Sequence, residues 1–305
     1  MPLASADDEC LDQRPDGGEM SFRDVLVVLR AYPATTPASA VEHAAATAIT
    51  LKCRLSVVSC GIKPHLPRSI LGDALFNVSG LVAEEGRKSV DDARRLLAEF
   101  EKLVKRHDVA CKRILETCRS SDVPAALVDH ARLHDLTILP MPKGPYVSQL
   151  DAQWYAETMI FDSGHPVIVL PQDRENAKPV AFDTVMVAWD KGRAASRAIA
   201  DAMPILRLAK RVHVLTVFGE KPIVSQRSGR ELAEHLAVHG VDVSLKELDA
   251  AGQTIGKVLE GEVKANRADL LVMGAYGRSR LKEFILGGAT KSMLTDPPTS
   301  LFMSH

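Results

Sequence analysis

The sequence predicts an α/β protein made of two tandem copies of one unit, each with a parallel sheet covered by helices on both faces. Continuous apolar runs such as residues 24–29 are typical of strands that are buried on both sides. These runs alternate with helical stretches along the chain, which indicates parallel strands joined by right-handed crossovers. The order of elements then repeats, with Val25 aligned on Val185 and the run 134–139 resembling the run 268–273. One α/β unit, present twice, explains the apolar runs, their alternation with helices and the repeated order of elements.

In the first copy, five apolar runs are separated by longer, mostly helical stretches. Residues 84–105 place apolar side chains along one side of a long helix. Asp122 can cap a helix that runs to Leu133, because its carboxylate can accept early helix N–H bonds and Pro124 suits the first turn. The predicted strands are residues 24–29, 54–58, 109–117, 136–141 and 166–170, and a further helix is predicted at 37–51.

The second copy follows a polar, charged stretch that contains proline, which we interpret as a linker. Its predicted strands are residues 184–188, 212–217, 241–248, 269–273 and 299–303, and its predicted helices are 193–208, 229–239, 255–265 and 289–294. The predicted organisation is a disordered tail at 1–19, a first domain at 20–172, the linker at 173–180 and a second domain at 181–305.

Composition indicates a globular protein without a nucleic-acid or membrane partner. The chain has 305 residues, 46% of them hydrophobic and 25% charged, which suits two domains of ordinary size. A net charge of −1 gives no basic surface for nucleic acid or for an acidic membrane. No apolar run approaches the roughly 18 residues that span a bilayer, and residues 1–20 lack the basic start and apolar core of a secretory signal. We therefore expect a cytoplasmic protein.

The five cysteines include no C-x-x-C pair, so neither a disulfide framework nor a zinc site is indicated. Cys53 and Cys60 flank one predicted strand, and Cys111 and Cys118 flank the next. If those strands are neighbours, thiols could face each other and act as a redox switch. The alternative is that they are buried free cysteines acting as small hydrophobic side chains.

A glycine-rich segment follows the predicted strand 269–273. Gly274, Gly277, Gly287 and Gly288 leave backbone N–H groups unshielded, and a helix start follows them. A polyanion can approach such a segment closely, and the helix dipole adds to the attraction. Phosphate binding is one interpretation; glycines that only close turns and cap a helix are the other.

A five-strand α/β unit whose fourth strand runs into G-x2-G-x9-G resembles the universal stress protein family. Gly274, Gly277 and Gly287 have this spacing, Trp189-Asp190 follows the first strand of the second copy, and the letters GRSRLKEF precede the third glycine. The resemblance covers the whole chain as a tandem pair. It implies two doubly wound, Rossmann-like (HUP-type) parallel sheets of five strands, each in the order 3-2-1-4-5.

The resemblance also implies that the second copy binds an adenine nucleotide, ATP with Mg²⁺, as a regulatory ligand in a stress response. If the roles known in the ATP-binding members are carried over, Asp190 would bind the nucleoside part of the nucleotide and the backbone of Val217 would contact adenine. Asp190 has an alternative role as a helix N-cap, and Arg278 is either a triphosphate contact or part of a solvated loop. The full predicted set is Asp190, Val217, Gly274, Gly277, Arg278, Gly287, Gly288, Ala289 and Thr290.

Gly288 departs from the family pattern, because the ATP binders usually have Ser or Thr directly after the third loop glycine. The amide remains but the hydroxyl donor is lost, at a cost of about 1.5–3 kcal/mol, or roughly ten- to a hundredfold in affinity. Thr290, two residues further on, is a candidate replacement.

The first copy lacks the aspartate and the glycines of this predicted site. Arg30 stands in place of Asp190, while Pro140 and Lys143 stand in place of the first two glycines. This copy is therefore expected to be a structural partner. Family members pair through their fifth strands, so residues 167–169 and 301–303 are expected to meet in an internal pseudo-dimer or in a homo-oligomer.

Sequence patterns for catalysis are lacking. The chain contains no G-x4-G-K-[ST] loop, no H-E-x-x-H, no metal-ligand spacing and no evident nucleophile with its base. We assign no catalytic residue, and the most we expect is slow ATP hydrolysis. The alternative function is a nucleotide-free interaction module that acts through its dimerisation edges.

Overall fold

The computed structural model describes the chain in six stretches, and it contains ten strands and eight α-helices there. The described residues are 21–63, 78–142, 147–172, 180–218, 229–275 and 288–305. The predicted tail at 1–19 and nearly all of the predicted linker at 173–180 lie outside them, so these domain boundaries stay predictions.

The described part of the first half contains five strands and four α-helices, with a short 3-10 turn at Ser120–Asp122. In chain order the elements are β1 (Asp24–Arg30), α1 (Ala38–Thr50), β2 (Arg54–Ile62), α2 (Val78–Lys105), β3 (Cys111–Cys118), α3 (Val123–Ala131), β4 (Leu136–Met141), α4 (Val147–Asp162) and β5 (Val167–Pro171).

The second half repeats this alternation of strands and helices. Its elements are β6 (Thr184–Ala188), α5 (Arg193–Leu208), β7 (Arg211–Phe218), α6 (Gly229–Val238), β8 (Val243–Asp249), α7 (Ile255–Asn266), β9 (Leu270–Gly274), α8 (Gly288–Thr295) and β10 (Ser300–Ser304).

All ten strands belong to one sheet in the order β3-β2-β1-β4-β5-β10-β9-β6-β7-β8. Within each half the neighbours are parallel and the order is 3-2-1-4-5, so the predicted fold class and strand order are confirmed. The two five-stranded sheets are continuous with each other because β5 and β10 pair antiparallel.

The core consists of two clusters of apolar side chains, one on each face of this sheet. Along β1, Val25, Val27 and Leu29 point into one cluster while Leu26 and Val28 point into the other, as expected from the alternation of side chains along a strand. Buried residues of α1, α2, α5 and α6 belong to the first cluster, and those of α3, α4, α7 and α8 to the second. Helices on both faces explain why the strands are continuously apolar.

An aspartate at the start of the fourth strand plays the same role in both halves. Asp135 Oδ2 accepts hydrogen bonds from the N–H groups of Arg23 and Asp24, at 2.7 and 3.0 Å. Asp269 Oδ2 accepts one from the N–H of Thr184, at 2.9 Å. Each carboxylate ties the start of the fourth strand to the start of the first. The structure thus repeats in detail, as the resemblance of the two sequence runs predicts.

The two halves meet where the fifth strands pair. Leu301 lies opposite Val169, and Met303 lies opposite Val167, which confirms the predicted contact between these strands. Phe302 lies between them, fully buried, opposite Ile168. The internal pseudo-dimer is therefore part of the fold, and oligomer formation between chains stays a prediction.

One helix, α4, is missing from the sequence prediction. Its buried residues include Tyr155, Ala156, Met159 and Ile160, but Trp154 beside them is 45% exposed. An apolar residue on the solvent side makes the helical spacing of apolar residues hard to recognise in the sequence. The long predicted helix at 84–105 is confirmed and begins earlier, at the start of α2. Among the helices that the structure describes, none combines the length and the apolar character needed to cross a membrane.

Candidate functional site

The candidate site lies at the carboxyl ends of β6 and β9, which are parallel neighbours with Val187 opposite Val272. From β6 the chain passes to α5 on one face of the sheet, whereas β9 is followed by α8 on the opposite face. Connections that diverge in this way leave a crevice at the strand ends, which is where open α/β sheets bind ligands.

Asp190 follows β6 and is exposed at this edge of the sheet. Its Oδ1 accepts a hydrogen bond from the N–H of Gly192 at 2.7 Å. Gly192 is the N-cap of α5, so the alternative role of Asp190 as that N-cap is wrong. The carboxylate instead closes a short turn before the helix, which fixes one of its oxygens at the crevice.

Val217 lies near the end of β7, half-buried and opposite Leu248 of β8. Pairing between β6 and β7 ends with Ala188 opposite Leu215 and a hydrogen bond from the N–H of Trp189 to the carbonyl of Leu215. The last three residues of β7 therefore extend past β6, beside the crevice. This arrangement is compatible with the predicted backbone contact to a base.

Gly274 ends β9 against the first turn of α5. A Cβ atom added there would lie 2.4 Å from the backbone N of Ala195 and 2.5 Å from the carbonyl carbon of Ala194. Both distances are far below van der Waals contact and involve backbone atoms. Glycine at this position is thus required for helix–sheet packing, whether or not a ligand binds.

The residue after Gly274 is anchored by the end of the chain. The N–H of Ala275 donates to the carbonyl of Ser304 at 2.8 Å, and Nδ1 of His305 lies 3.0 Å from the Ala275 carbonyl oxygen. The His305 ring also packs edge-on against Phe161 of α4, with ring centroids 4.9 Å apart. The crevice therefore contacts the first half through the last residue, a link that no local sequence pattern indicates.

Helix α8 begins at Gly288, which is exposed and, among the described residues, has nothing within 4 Å of an added Cβ. Thr290 is 4% exposed and lies on the buried face of α8 with Met293 and Leu294, so its position favours a packing role over replacement of the missing hydroxyl donor. Ala289 is half-buried. The other predicted loop residues, Gly277, Arg278 and Gly287, lie outside the described residues.

The matching crevice of the first half is closed by its own side chains. Arg30, at the position equivalent to Asp190, is only 5% exposed, and Tyr155 of α4 is 6% exposed. Both line a cavity of about 10 Å³ together with Tyr32 and Cys60, which is room for about one water molecule. Pro140, equivalent to Gly274, lies in β4 opposite Leu170. Among the described residues of the first half, the position equivalent to Asp190 is therefore filled by Arg30 and packed against Tyr155.

Comparison with known proteins supports the fold rather than close kinship. No protein-family model matches the sequence, and no curated protein matches it. Among solved structures, a universal stress protein from Archaeoglobus fulgidus DSM 4304 is similar over 92% of this chain and 97% of its own, with 15% identity and a TM-score of 0.66. The chain has the tandem universal stress protein fold.

Two structures from Pseudomonas aeruginosa are also similar to the chain. A provisionally named universal stress protein from strain UCBPP-PA14 has 16% identity and a TM-score of 0.56, covering 93% of both chains. A protein of unknown function from strain PAO1 has 15% identity and a TM-score of 0.54, covering 93% of this chain and 92% of its own. The resemblance to universal stress proteins that the glycine spacing predicts is thus confirmed for the fold.

Within the universal stress fold, three of the predicted site residues lie close to one another. Asp190, Val217 and Gly274 come to one edge of the sheet, at the ends of three neighbouring strands. Among the described residues, no group of three or more His, Cys, Asp or Glu side chains is placed to hold a metal ion.

Proposed function

We propose that the second half binds an adenine nucleotide, ATP with Mg²⁺, as the regulatory ligand of a cytoplasmic stress-response protein. The observation that carries this proposal is the diverging exit from β6 and β9, with the exposed Asp190 carboxylate at the resulting crevice. The first half, whose equivalent crevice is closed, acts as its structural partner.

Asp190 has the capacity to bind the nucleoside end. A carboxylate offers about four lone-pair positions, and one of its oxygens is already oriented by the N–H of Gly192. A carboxylate held in this way is preorganised to accept hydrogen bonds from ribose hydroxyls, with less entropy lost on binding. The backbone of Val217, on the part of β7 that extends past β6, is the candidate base contact.

The start of α8 is the candidate phosphate contact. The first N–H groups of an α-helix have no partner within the helix, and the positive end of its dipole attracts anions. The part of the chain that the structure describes leaves these groups uncovered, since Gly288 is exposed there and no described atom lies within 4 Å of an added Cβ. Mg²⁺ carried by the phosphates reduces their charge when the nucleotide binds. Gly277, Arg278 and Gly287 remain predicted phosphate contacts.

The regulatory role is supported by the contact between the crevice and the first half. His305 contacts both the carbonyl of Ala275, next to Gly274, and the ring of Phe161 in α4. A ligand that shifts the end of β9 would therefore act on the interface between the halves.

Titration calorimetry with ATP and Mg²⁺ tests the proposal. We expect the wild-type chain to bind, and Asp190→Ala to weaken binding by roughly ten- to a hundredfold, as for loss of a hydrogen bond to a charged group. Folding should be little changed, because the carboxylate is exposed and its hydrogen bond is local to one turn.

Asp249→Ala is the matched control. Asp249 is also exposed, ends β8, and its Oδ1 accepts a 2.7 Å hydrogen bond from the N–H two residues later, at Ala251. It lies at the outer edge of the sheet, two strands from β6. This variant should bind as the wild type does. No heat with millimolar nucleotide, or equal losses in both variants, would contradict the proposal.

The alternative, a nucleotide-free module acting through its strand edges, is less well supported. The fifth-strand edges already pair with each other inside the chain. The outer strands β3 and β8 carry charges that discourage edge-to-edge pairing. These charged residues include Lys112, Arg113, Glu116, Lys246 and Glu247.

A further inference from the structure

Two thiols meet at the carboxyl ends of β2 and β3. Cys60 lies opposite Glu116, and Ile62 lies opposite Cys118, so the two cysteines are diagonal neighbours on adjacent parallel strands. Their Sγ atoms are 2.9 Å apart, and both cysteines are free. The predicted adjacency of these strands is thus confirmed, and the sequence left open whether it has a redox role.

We propose that Cys60 and Cys118 form an oxidisable pair, which anionic low-molecular-weight disulfides of the glutathione class convert to an intramolecular disulfide. A disulfide bond is about 2.05 Å long, so the sulfur atoms need to approach by roughly 0.9 Å. Because the cysteines are diagonal rather than directly opposite, part of this movement has to come from the strand ends. β3 is the outermost strand of the sheet, which leaves it room to shift.

The two thiols differ in access, which sets the order of reaction. Cys60 is 5% exposed, whereas Cys118 is half-buried. An open cleft of about 470 Å³ lies at this end of β2 and β3, lined among others by Ile62, Lys63 and Arg119. Arg119 directly follows Cys118, and both Lys63 and Arg119 are exposed. Glu85 also lines this cleft, so the two cations beside the accessible thiol outnumber the one carboxylate there and favour an anionic reagent.

The reaction is a two-electron thiol–disulfide exchange in two steps. The Cys118 thiolate attacks one sulfur of the small disulfide, forming a mixed disulfide and releasing one small thiolate. Cys60, losing its proton to solvent, then attacks the Cys118 sulfur and releases the second small thiolate. The two protons lost by the protein end on the two released thiols. The protein pair is oxidised and the small disulfide is reduced.

The first step assists the second. Burial raises the pKa of the Cys60 thiol, and the contact with Cys118 raises it further, through its hydrogen bond and its charge. Once the Cys118 sulfur is bonded in a mixed disulfide, it can no longer ionise, so a charge on that sulfur no longer opposes ionisation of Cys60. Cys60 is thereby made a better nucleophile at the moment when it has to attack.

Peptide mapping of the folded wild-type chain after incubation with oxidised glutathione tests the proposal. Trypsin releases Cys60 in peptide 55–68, because Pro64 blocks cleavage after Lys63, and Cys118 in peptide 114–119. We expect these two peptides to appear cross-linked, about 2 Da lighter than the two reduced peptides together, and to separate on reduction.

The cysteines at the other end of the same two strands provide the matched control. Burial raises the pKa of Cys53 to about 12 and that of Cys111 to about 11. The double variant Cys53→Ser/Cys111→Ser should keep the cross-link in full, and Cys60→Ser/Cys118→Ser should lose it. The proposal is overturned if Cys118 stays as a stable mixed disulfide beside reduced Cys60. It is also overturned if cross-links join Cys53, Cys60, Cys111 and Cys118 without preference.

Discussion

Gly274→Ala is expected to lower the free energy of unfolding by about 3 kcal/mol, the upper part of the range for overpacking. The new methyl group would lie within 2.5 Å of backbone atoms of Ala194 and Ala195, and a helix backbone cannot rotate away as a side chain can. Either α5 moves off the sheet or β9 is displaced, and both changes disturb the end of the crevice. Urea unfolding followed by circular dichroism measures the loss.

Gly288→Ala is the control for this prediction, because it makes the same chemical change at another glycine of the same predicted loop. An added Cβ at Gly288 meets no described residue within 4 Å, and the residue begins a helix. Stability should be unchanged or rise by up to about 1 kcal/mol. Equal effects of the two substitutions would show that Gly274 is not held by packing. A Gly274→Ala protein that keeps its stability and loses only nucleotide binding would show that this glycine is needed for ligand binding and not for packing.

Phe302→Ala is expected to cost about 3–5 kcal/mol, as for other large-to-small changes at buried aromatic residues. Phe302 is fully buried in β10, opposite Ile168 of the first half and Val272 of the second, and its ring lies 6.4 Å from that of Phe22. The cavity would therefore open at the junction of the two halves. We expect amide hydrogen exchange to accelerate in both β5 and β9, since the contacts of β10 support both.

Leu127→Ala provides a comparison away from the junction. Leu127 is 2% exposed in α3 and packs within the second core cluster on the first half. Its loss should also destabilise the chain, by about 2–5 kcal/mol, but should accelerate exchange mainly in the first half. If Phe302→Ala left exchange in β5 unchanged, β10 would not couple the two halves as described.

Local sequence patterns were sufficient for the strands, the duplication and the resemblance to universal stress proteins. Val25 to Leu29 alternate between two clusters, and such a continuous apolar run is stable only as a strand covered on both faces. The resemblance then supplied the strand order and the fifth-strand contact, both of which the structure confirms. Helix α4 was missed because exposed Trp154 interrupts its apolar stripe.

The contacts that define the site come from residues far apart in the chain. Gly274 is required because α5, about eighty residues earlier, crosses the end of β9. Arg30 and Tyr155 jointly close the first crevice, and Cys60 meets Cys118 across two strands. Apart from α4, sequence alone determined which of the described segments become strands and helices, because periodicity and apolar content are local properties. Only the tertiary structure decided that Arg30 and Tyr155 fill the first crevice and which thiols touch, because those outcomes depend on how distant backbones pack.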